Sequence, residues 1–254
     1  MSTIALRPAQ RSDIPEMARI ANAANTHSVI HKRVAPHQDT YPLDYYNWRL
    51  RIIRQRFATP SLRSIIAYDS SSSVILGQAS WVVEGANTAL YKSWVSEKNT
   101  WGNWLEKKLV DIEKKWCSWT TDRSIDYDFL RRFHAACLET EGYSRPDCLH
   151  CHLIVVDPQT QARGVGRALV EWAKDVARDW DLPVYLESNL EATGFYEKVG
   201  FKKLSQDVVI CPGGNEIFRI PAYVLEGEGR EGHWLERDGE AWRWKDGVVS
   251  RAPS

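Results

Sequence analysis

The second half of the chain carries the feature that most constrains its fold, a regular alternation of strand and helix patterns. Residues 149–156 form a largely apolar run typical of a strand, and residues 164–179 place apolar side chains at helical spacing. A strand pattern over 184–187 and a helix pattern over 192–199, ended by Gly200, follow. This β-α-β-α order predicts two parallel strands joined by a right-handed crossover.

The first part of the chain predicts further strands and helices in a different order. The pattern indicates a strand over 3–7, helices over 14–25 and 41–58, and an antiparallel hairpin made of residues 63–68 and 74–83. Together with the parallel pair, these elements predict a mixed α/β fold whose central sheet contains both parallel and antiparallel strands.

Two hairpin patterns follow near the end of the sequence. Strand patterns over 208–211 and 217–225 flank a Pro-Gly-Gly-Asn turn, and the Asp-Gly pair at 238–239 separates two further short strand patterns. We expect one domain over residues 1–225 and a C-terminal β-hairpin extension over residues 226–254.

Residues 84–148 hold five of the twelve tryptophans of the chain. Apolar side chains recur there at intervals of three and four residues, so we expect a helical, tryptophan-rich insertion. The regularly spaced residues are Trp101, Trp104, Leu105, Leu109, Ile112 and Trp116. Two interpretations stay open: the aromatic side chains pack onto the sheet, or they form a lid that lines an acceptor pocket.

Composition excludes several classes of function. The 33 basic and 33 acidic residues balance, which argues against a nucleic-acid partner. We expect no membrane partner, because no apolar run approaches the roughly 20 residues of a membrane span. The first residues lack a secretory pattern, and five cysteines are too few and odd in number for a disulfide framework. A cytoplasmic location is therefore expected.

The turn Gln161–Gly166 lies between a predicted strand and a predicted helix, and its composition suits a phosphate ligand. The first turn of a helix has unpaired backbone N–H groups and a partial positive charge. Glycines at 164 and 166 allow the backbone to approach a ligand without a Cβ atom in the way. By itself the turn predicts an anion site, or only the start of a helix.

The residues around this turn resemble those of the GNAT superfamily of N-acetyltransferases. VDPQTQARGVGRALVEWA is similar to the acetyl-CoA motif of that family, Gln/Arg-x-x-Gly-x-Gly/Ala, with Gln161, Gly164 and Gly166 in the matching places. A second family motif, Asn-x-x-Ala-x-x-φ-Tyr-x-x-x-Gly-Phe, is matched from Asn189 to Phe201. The resemblance is close over residues 149–204 and does not extend to the insertion or the tail.

The resemblance implies a twisted central sheet flanked by helices, whose fourth and fifth strands splay apart around the pantetheine arm of acetyl-CoA, the acetyl donor. It implies that Asn189 and Phe195 flank the pantetheine end. The other implied cofactor-binding residues are Ile154, Val155 and Val156 for pantetheine, and Gln161, Ala162, Arg163, Gly164, Val165, Gly166, Arg167 and Ala168 for the pyrophosphate.

The resemblance also assigns catalytic roles. Tyr196 occupies the position of the acid that protonates the departing CoA thiolate; the alternative is a tyrosine packed at a helix start. His150 and His152 lie two apart on one strand and therefore share a face. A His-x-His pair at this place is similar to that of arylalkylamine N-acetyltransferases, where it relays a proton. We expect His152 first, and His150 second, as base; half-buried structural histidines are the alternative.

Three other groups of polar residues are weaker candidates. Cys148, His150, Cys151 and His152 have the composition of a zinc site, but one strand alone cannot arrange them tetrahedrally, and no metal is expected. Glu187 either lines the acceptor pocket or is an exposed carboxylate. The histidines and basic residues of 27–37 are interpreted as a solvated loop.

The expected function is therefore acetyl transfer from acetyl-CoA to a primary amine of a small molecule, by direct attack in a ternary complex. Two alternatives stay open: a protein lysine or N-terminal acetyltransferase, and a non-catalytic module that binds CoA. The expected partner is the small-molecule acceptor, and the protein is expected to be a monomer or a homodimer.

Overall fold

The computed structural model describes residues 3–86, 88–141, 146–213 and 215–248. Seven strands form a central sheet in the order β1-β2-β3-β4-β5-β9-β6, and β7/β8 and β10/β11 form two separate two-stranded sheets. The strands are β1 (Ile4–Pro8), β2 (Leu62–Asp69), β3 (Ile75–Glu84), β4 (Cys148–Val156), β5 (Val184–Glu187), β6 (Lys202–Lys203), β7 (Val208–Gly213), β8 (Glu216–Ile220), β9 (Ala222–Leu225), β10 (Leu235–Asp238) and β11 (Ala241–Trp244).

Eight α-helices are present in the described ranges: α1 (Ile14–Ala24), α2 (Val29–Val34), α3 (Pro42–Ala58), α4 (Ala89–Lys98), α5 (Trp101–Thr120), α6 (Tyr127–Glu141), α7 (Val165–Trp180) and α8 (Thr193–Lys198). Within the part of the chain that the structure describes, none of them combines the length and apolar character needed to cross a bilayer.

The predicted mixed α/β fold is confirmed. β4 and β5 pair in parallel, whereas β1/β2, β5/β9 and β6/β9 pair antiparallel. The parallel pairing joins β5 to only Leu149–Cys151, and β4 continues for five residues beyond it to Val156. Early separation of these two strands is what the family resemblance implied.

Most predicted elements lie within one or two residues of their predicted bounds, but two predictions are wrong. Residues 27–37 are not a solvated loop, because Ser28 caps the helix α2 and His31 lies half-buried on it. The predicted strand over 217–225 is broken at Pro221, which has no N–H group for a strand ladder. Among the residues that the structure describes, β8 therefore pairs with β7 alone, and β9 joins the central sheet.

The chain divides into two compact units, each of which is made of several segments. Unit 1 comprises Met1–Trp81, Lys92–Leu130 and His152–Leu169, and unit 2 comprises Val82–Tyr91, Arg131–Cys151 and Val170–Ser254. This division does not follow the predicted boundary after residue 225, which stays a prediction.

The core of unit 1 forms beneath α1. Its residues at helical spacing, including Ile14, Met17 and Ile20, are buried against Ile53 of α3 and Ile66 of β2. α3 in turn packs along α5. The apolar stripe of α1 thus faces the sheet, as its periodicity predicts.

The tail hairpin packs within unit 2. Leu235 is fully buried in a cluster that includes Cys148 and Tyr185, with Trp242 and Trp244 packed at its edge. The buried Glu226 carboxylate accepts hydrogen bonds from the backbone N–H groups of residues 232, 234 and 235. Apolar contacts therefore fasten the tail hairpin to the strands β5 and β9, and the Glu226 carboxylate holds the segment that leads into the hairpin.

The aromatic residues of 84–148 do not share one environment. Trp94 and Phe129 are buried, as the packing interpretation expects. The tryptophans of α5 instead face solvent, with exposed fractions of 74% for Trp101 and 77% for Trp119. The packing interpretation is therefore wrong for α5.

Candidate active site

The turn that follows β4 is fixed by polar contacts within unit 1. Asp157 accepts a hydrogen bond from the backbone N–H of Gln159 at 2.9 Å, and its own N–H donates to the carbonyl of Leu76. Arg19 of α1 forms an ion pair with the same carboxylate. Asp157 therefore ties the end of β4 to β3 and to α1, and so positions the residues that come next.

Residues 161–164 lie exposed, and their backbone is unusual. Ala162 and Gly164 both have positive φ angles, 62° and 88°. Residues that carry a side chain rarely adopt such a backbone φ, so glycine at 164 avoids the strain that another residue would introduce. The N–H of Ala168 donates to the carbonyl of Gly164 at 3.0 Å. The backbone N–H groups that precede it in α7 lie in the helix's first turn, where an anion can accept from them.

The charge at this helix end suits the same ligand. Arg163 and Arg167 are exposed beside the first turn of α7, and Val165 is buried beneath it. Two guanidinium groups and the positive end of a 16-residue helix attract a pyrophosphate. We call residues Gln161–Gly166 the phosphate turn.

Gly77 of β3 is a supporting residue that sequence reasoning missed. A Cβ atom there would lie 2.9 Å from the carbonyl oxygen of Val155 and 3.0 Å from Cγ1 of Val165. β3 can therefore approach the last residues of β4, which include Ile154 and Val156, only because residue 77 is glycine. The one signal in the sequence was an isolated glycine inside a strand pattern.

A second group of polar side chains surrounds His150 in unit 2. Nδ1 of His150 lies 2.5 Å from Oε1 of Glu84, and Nε2 lies 2.7 Å from Oε2 of Glu187. The register explains one contact: His150 pairs with Tyr185 across β4/β5, and Glu187 follows two residues later on the same face. Glu84 ends β3. We call these three residues the Glu–His–Glu cluster.

Both ring nitrogens of His150 therefore face a carboxylate. A neutral imidazole has one N–H group and could donate to only one of them, whereas an imidazolium donates to both. Burial acts to lower the pKa of His150, but the hydrogen bonds that its ring donates to Glu187 and Glu84, together with the charges of these two carboxylates, outweigh burial and raise the pKa to about 9. At neutral pH His150 is consequently a buried cation, and the three side chains carry a net charge of −1.

The two histidines of the predicted pair thus differ in environment. His150 is 8% exposed, whereas His152, two residues along β4, is exposed. An imidazolium has no lone pair to accept a proton or to bind a metal, so His150 must first lose a proton to do either. The absence of a metal stays a prediction. Glu84 was missed because a single acid at the end of a strand carries no signal of its own.

Tyr196 lies in α8, enclosed by aromatic rings. The ring centroids of Phe195, Phe201 and Tyr223 are 5.1, 5.6 and 6.1 Å from its own. Burial, and to a smaller extent Cys151, raises the pKa of the Tyr196 hydroxyl well above its ordinary value. The hydroxyl thus keeps its proton at neutral pH. Phe195 is half-buried, and the exposed Asn189 precedes a short 3-10 turn over Leu190–Ala192.

Comparisons with known proteins point to one family. Residues 125–201 match the model described as the Acetyltransferase (GNAT) family. An uncharacterized N-acetyltransferase of Schizosaccharomyces pombe is 25% identical over 162 residues, which cover 60% of this chain and 63% of that relative. A peptidyl-lysine N-acetyltransferase of Escherichia coli is 45% identical over 53 residues, which cover 21% of this chain and 35% of that relative. The chain thus spans less than two thirds of the length of either relative.

One solved structure has the same fold over most of the chain. It is described as histone acetyltransferase HPA2 and related acetyltransferase from Corynebacterium glutamicum. Its TM-score is 0.54 at 16% identity, and the match covers 89% of this chain and 97% of that chain. At this identity the likeness concerns the fold alone.

Proposed function

Because the chain belongs to the GNAT acetyltransferase superfamily, we propose that it transfers an acetyl group from acetyl-CoA to a primary amine of a small molecule. In this reaction the amine nitrogen attacks the thioester carbon, the carbon–sulfur bond breaks, and CoA leaves as the thiolate. An amine that arrives as an ammonium ion loses two protons from its nitrogen, one before the attack and one after it; the CoA thiolate takes up one proton, and the other passes to solvent.

The phosphate turn supports the proposed cofactor. Its exposed backbone, its two positive φ angles and the flanking Arg163 and Arg167 suit the pyrophosphate of CoA. We assign Gln161 and the backbone of residues 162–168 to the pyrophosphate. Ile154, Val155 and Val156 are assigned to the pantetheine arm, with Asn189 and Phe195 near its thiol end.

The Glu–His–Glu cluster is the observation that supports a primary amine as the acceptor. Amines arrive as ammonium ions at neutral pH, and the carboxylate oxygens of Glu84 and Glu187 can accept hydrogen bonds from them. The side chains of Glu84 and Glu187 are each 26% exposed, so their carboxylates remain partly accessible around the buried imidazolium. A cationic primary amine therefore fits this cluster better than a neutral or anionic acceptor does.

The proton steps are assigned to three residues. His152, exposed on β4, is the proposed base for the ammonium proton. His150 takes part as a relay only after it loses a proton to solvent or to a neighbouring carboxylate. Tyr196, whose hydroxyl stays protonated, stabilises the departing thiolate by donating a hydrogen bond. Its raised pKa favours this donation over complete proton transfer to sulfur.

A thiol-release assay with acetyl-CoA and a panel of amines tests the proposal. The panel contains tryptamine-like amines, polyamines and a lysine peptide, and we expect release with at least one small amine. Release with the lysine peptide alone would assign the chain to protein acetylation, as the name of the Escherichia coli relative suggests. CoA binding without release by any amine would support a non-catalytic module instead.

The variant Tyr196→Phe shows whether the measured thiol release comes from this protein or from a contaminating enzyme. It removes the hydroxyl and keeps the ring that packs against Phe201 and Tyr223. We expect turnover to fall about 10- to 100-fold, because the hydrogen bond to the leaving thiolate is lost. Acetyl-CoA affinity, measured by calorimetry, should change little. An equal loss in turnover and affinity would contradict the proposed hydrogen bond from Tyr196 to the departing thiolate.

A further inference from the structure

The outer side of α5 is an unusual surface for a protein in water. Four tryptophans and two aliphatic residues on this helix are more than half exposed. They are Trp101, Trp104, Leu109, Ile112, Trp116 and Trp119, which we call the tryptophan face. At about 100° per residue these six positions fall within an arc of roughly 140°. They therefore form one continuous stripe along a 20-residue helix.

The area of this stripe is large. A tryptophan side chain carries up to about 250 Å² of surface. With exposed fractions between 54% and 77%, the four rings present on the order of 600 Å² of aromatic surface. The largest apolar patch on an ordinary monomer is roughly 300–600 Å², and such patches mark interaction sites. The aliphatic residues enlarge it further.

The other side of α5 is satisfied within unit 1. Val110 is fully buried. Arg54 of α3 donates to Glu113 at 2.7 Å, and Arg11 forms an ion pair with Glu106. Two of the three acids of the helix, Glu106 and Glu113, are therefore turned toward the protein, where arginines neutralise them.

The charge that remains beside the tryptophan face is positive. Lys107, Lys108 and Lys115 are exposed, and Nζ of Lys115 lies 5.7 Å from the ring centre of Trp119. The acid on this part of the helix, Asp111, accepts a hydrogen bond from Gln55 of α3 at 3.0 Å. Lys108 and Lys115 fall within the arc of the tryptophan face, which thus combines aromatic rings with cationic side chains.

From this combination we propose that the tryptophan face docks α5 in the plane of an anionic lipid surface. Indole rings favour the interface between headgroups and acyl chains, where the ring is apolar and its N–H finds an oxygen partner. Lysine stems extend along the apolar layer and leave the ammonium group among anionic headgroups. A second copy of the chain would bring the same lysines to the contact and repel them.

Surface docking of this kind needs no membrane-spanning segment, so it is compatible with the absence of long apolar runs in the sequence. It also does not rest on the proposed acetyl transfer. It differs from the expectation, drawn from hydropathy alone, that the protein has no membrane partner.

Co-flotation of the full chain with lipid vesicles tests the proposal. We expect binding to vesicles of phosphatidylcholine mixed with phosphatidylglycerol, and much weaker binding to phosphatidylcholine alone. The variant Trp116→Gln/Trp119→Gln should bind more weakly by about tenfold, because binding scales with the buried apolar area. Trp180→Gln is the matched control, since Trp180 is 41% exposed on α7 and lies outside the face.

The charge is tested with Lys108→Glu/Lys115→Glu, which should lose the preference for anionic vesicles. Circular dichroism verifies that each variant is folded, as the exposure of these side chains predicts. Lack of wild-type binding to anionic vesicles, or equal binding by the double tryptophan variant, would overturn the proposal. A dimer in sedimentation equilibrium that dissociates in the tryptophan variant would assign the face to self-association and would overturn it as well.

Discussion

Two histidines in different parts of the molecule differ in charge at neutral pH. His31 lies on α2 in unit 1, where its Nδ1 is 3.0 Å from the hydroxyl of Ser28. Burial, followed by the charges of Arg49 and Arg56, lowers the pKa of His31 to about 3. His150 lies on β4 in unit 2 between two carboxylates that raise its pKa to about 9. The first is a neutral imidazole, and the second is an imidazolium.

The difference between the two pKa values shows what sets the protonation state of a histidine side chain that is shielded from solvent. Burial disfavours the charged form of both side chains, and only His150 has acceptors on both nitrogens to offset it. Those acceptors are distant in sequence, since Glu84 and Glu187 are 66 and 37 residues away. The charged neighbours of His31 are cations instead, and their charges act in the same direction as burial.

Replacement of each histidine by glutamine should give the largest measurable difference between the two sites, in the free energy of unfolding. His150→Gln removes the cation between two carboxylates, so we expect a loss of about 3 kcal/mol in the free energy of unfolding at pH 7. His31→Gln exchanges one neutral polar group for another and should cost about 1 kcal/mol. Urea unfolding of the two variants measures both values. Equal losses would show that the two histidines have the same charge.

The pH dependence of stability tests the same difference with a somewhat smaller effect. The pKa of His150 is raised when the chain folds, so its contribution is complete below pH 6.5 and is lost as pH rises toward 9. We expect a decline of about 2–3 kcal/mol over this window. The contribution of His31 to stability changes with pH in the opposite direction. Its pKa is lowered on folding, so the contribution is lost as pH falls from 6.5 toward 3.

Variants separate these two contributions. Urea unfolding from pH 3 to pH 10 should give a shallower alkaline decline for His150→Gln than for the wild type. His31→Gln should leave the alkaline decline unchanged and reduce the acidic one. A wild-type stability that stays constant between pH 7 and pH 9 would argue against a protonated His150.

The sequence predicted those parts of the fold and site that depend on local patterns. Apolar periodicity located α1, α3 and α7 nearly to the residue, and the glycines marked the phosphate turn. The Glu–His–Glu cluster could not be predicted, because Glu84 reaches His150 only through strand order and register. The exposure of the tryptophan face could not be predicted either. Periodicity shows that apolar side chains share one side of α5, but it does not show whether that side packs against the protein or faces solvent. Pro221 was visible, and its effect on the strand could have been predicted.

The smallest effect, and the most specific, is expected from Glu187→Gln. The glutamine carbonyl can still accept the hydrogen bond from Nε2 of His150, but the negative charge is gone. Because Glu84 still faces Nδ1, His150 should remain mostly protonated at pH 7, with a pKa lowered by about one unit. Titration of the imidazole signals by nuclear magnetic resonance measures this pKa. The matched control is Glu191→Gln, an exposed acid in the same unit, which should leave the titration unchanged. An equal lowering of the His150 pKa in both variants would mean that His150 responds to the overall charge of the unit. The difference between His150 and His31 would then come from the summed charge around each ring and not from the two hydrogen-bonded carboxylates.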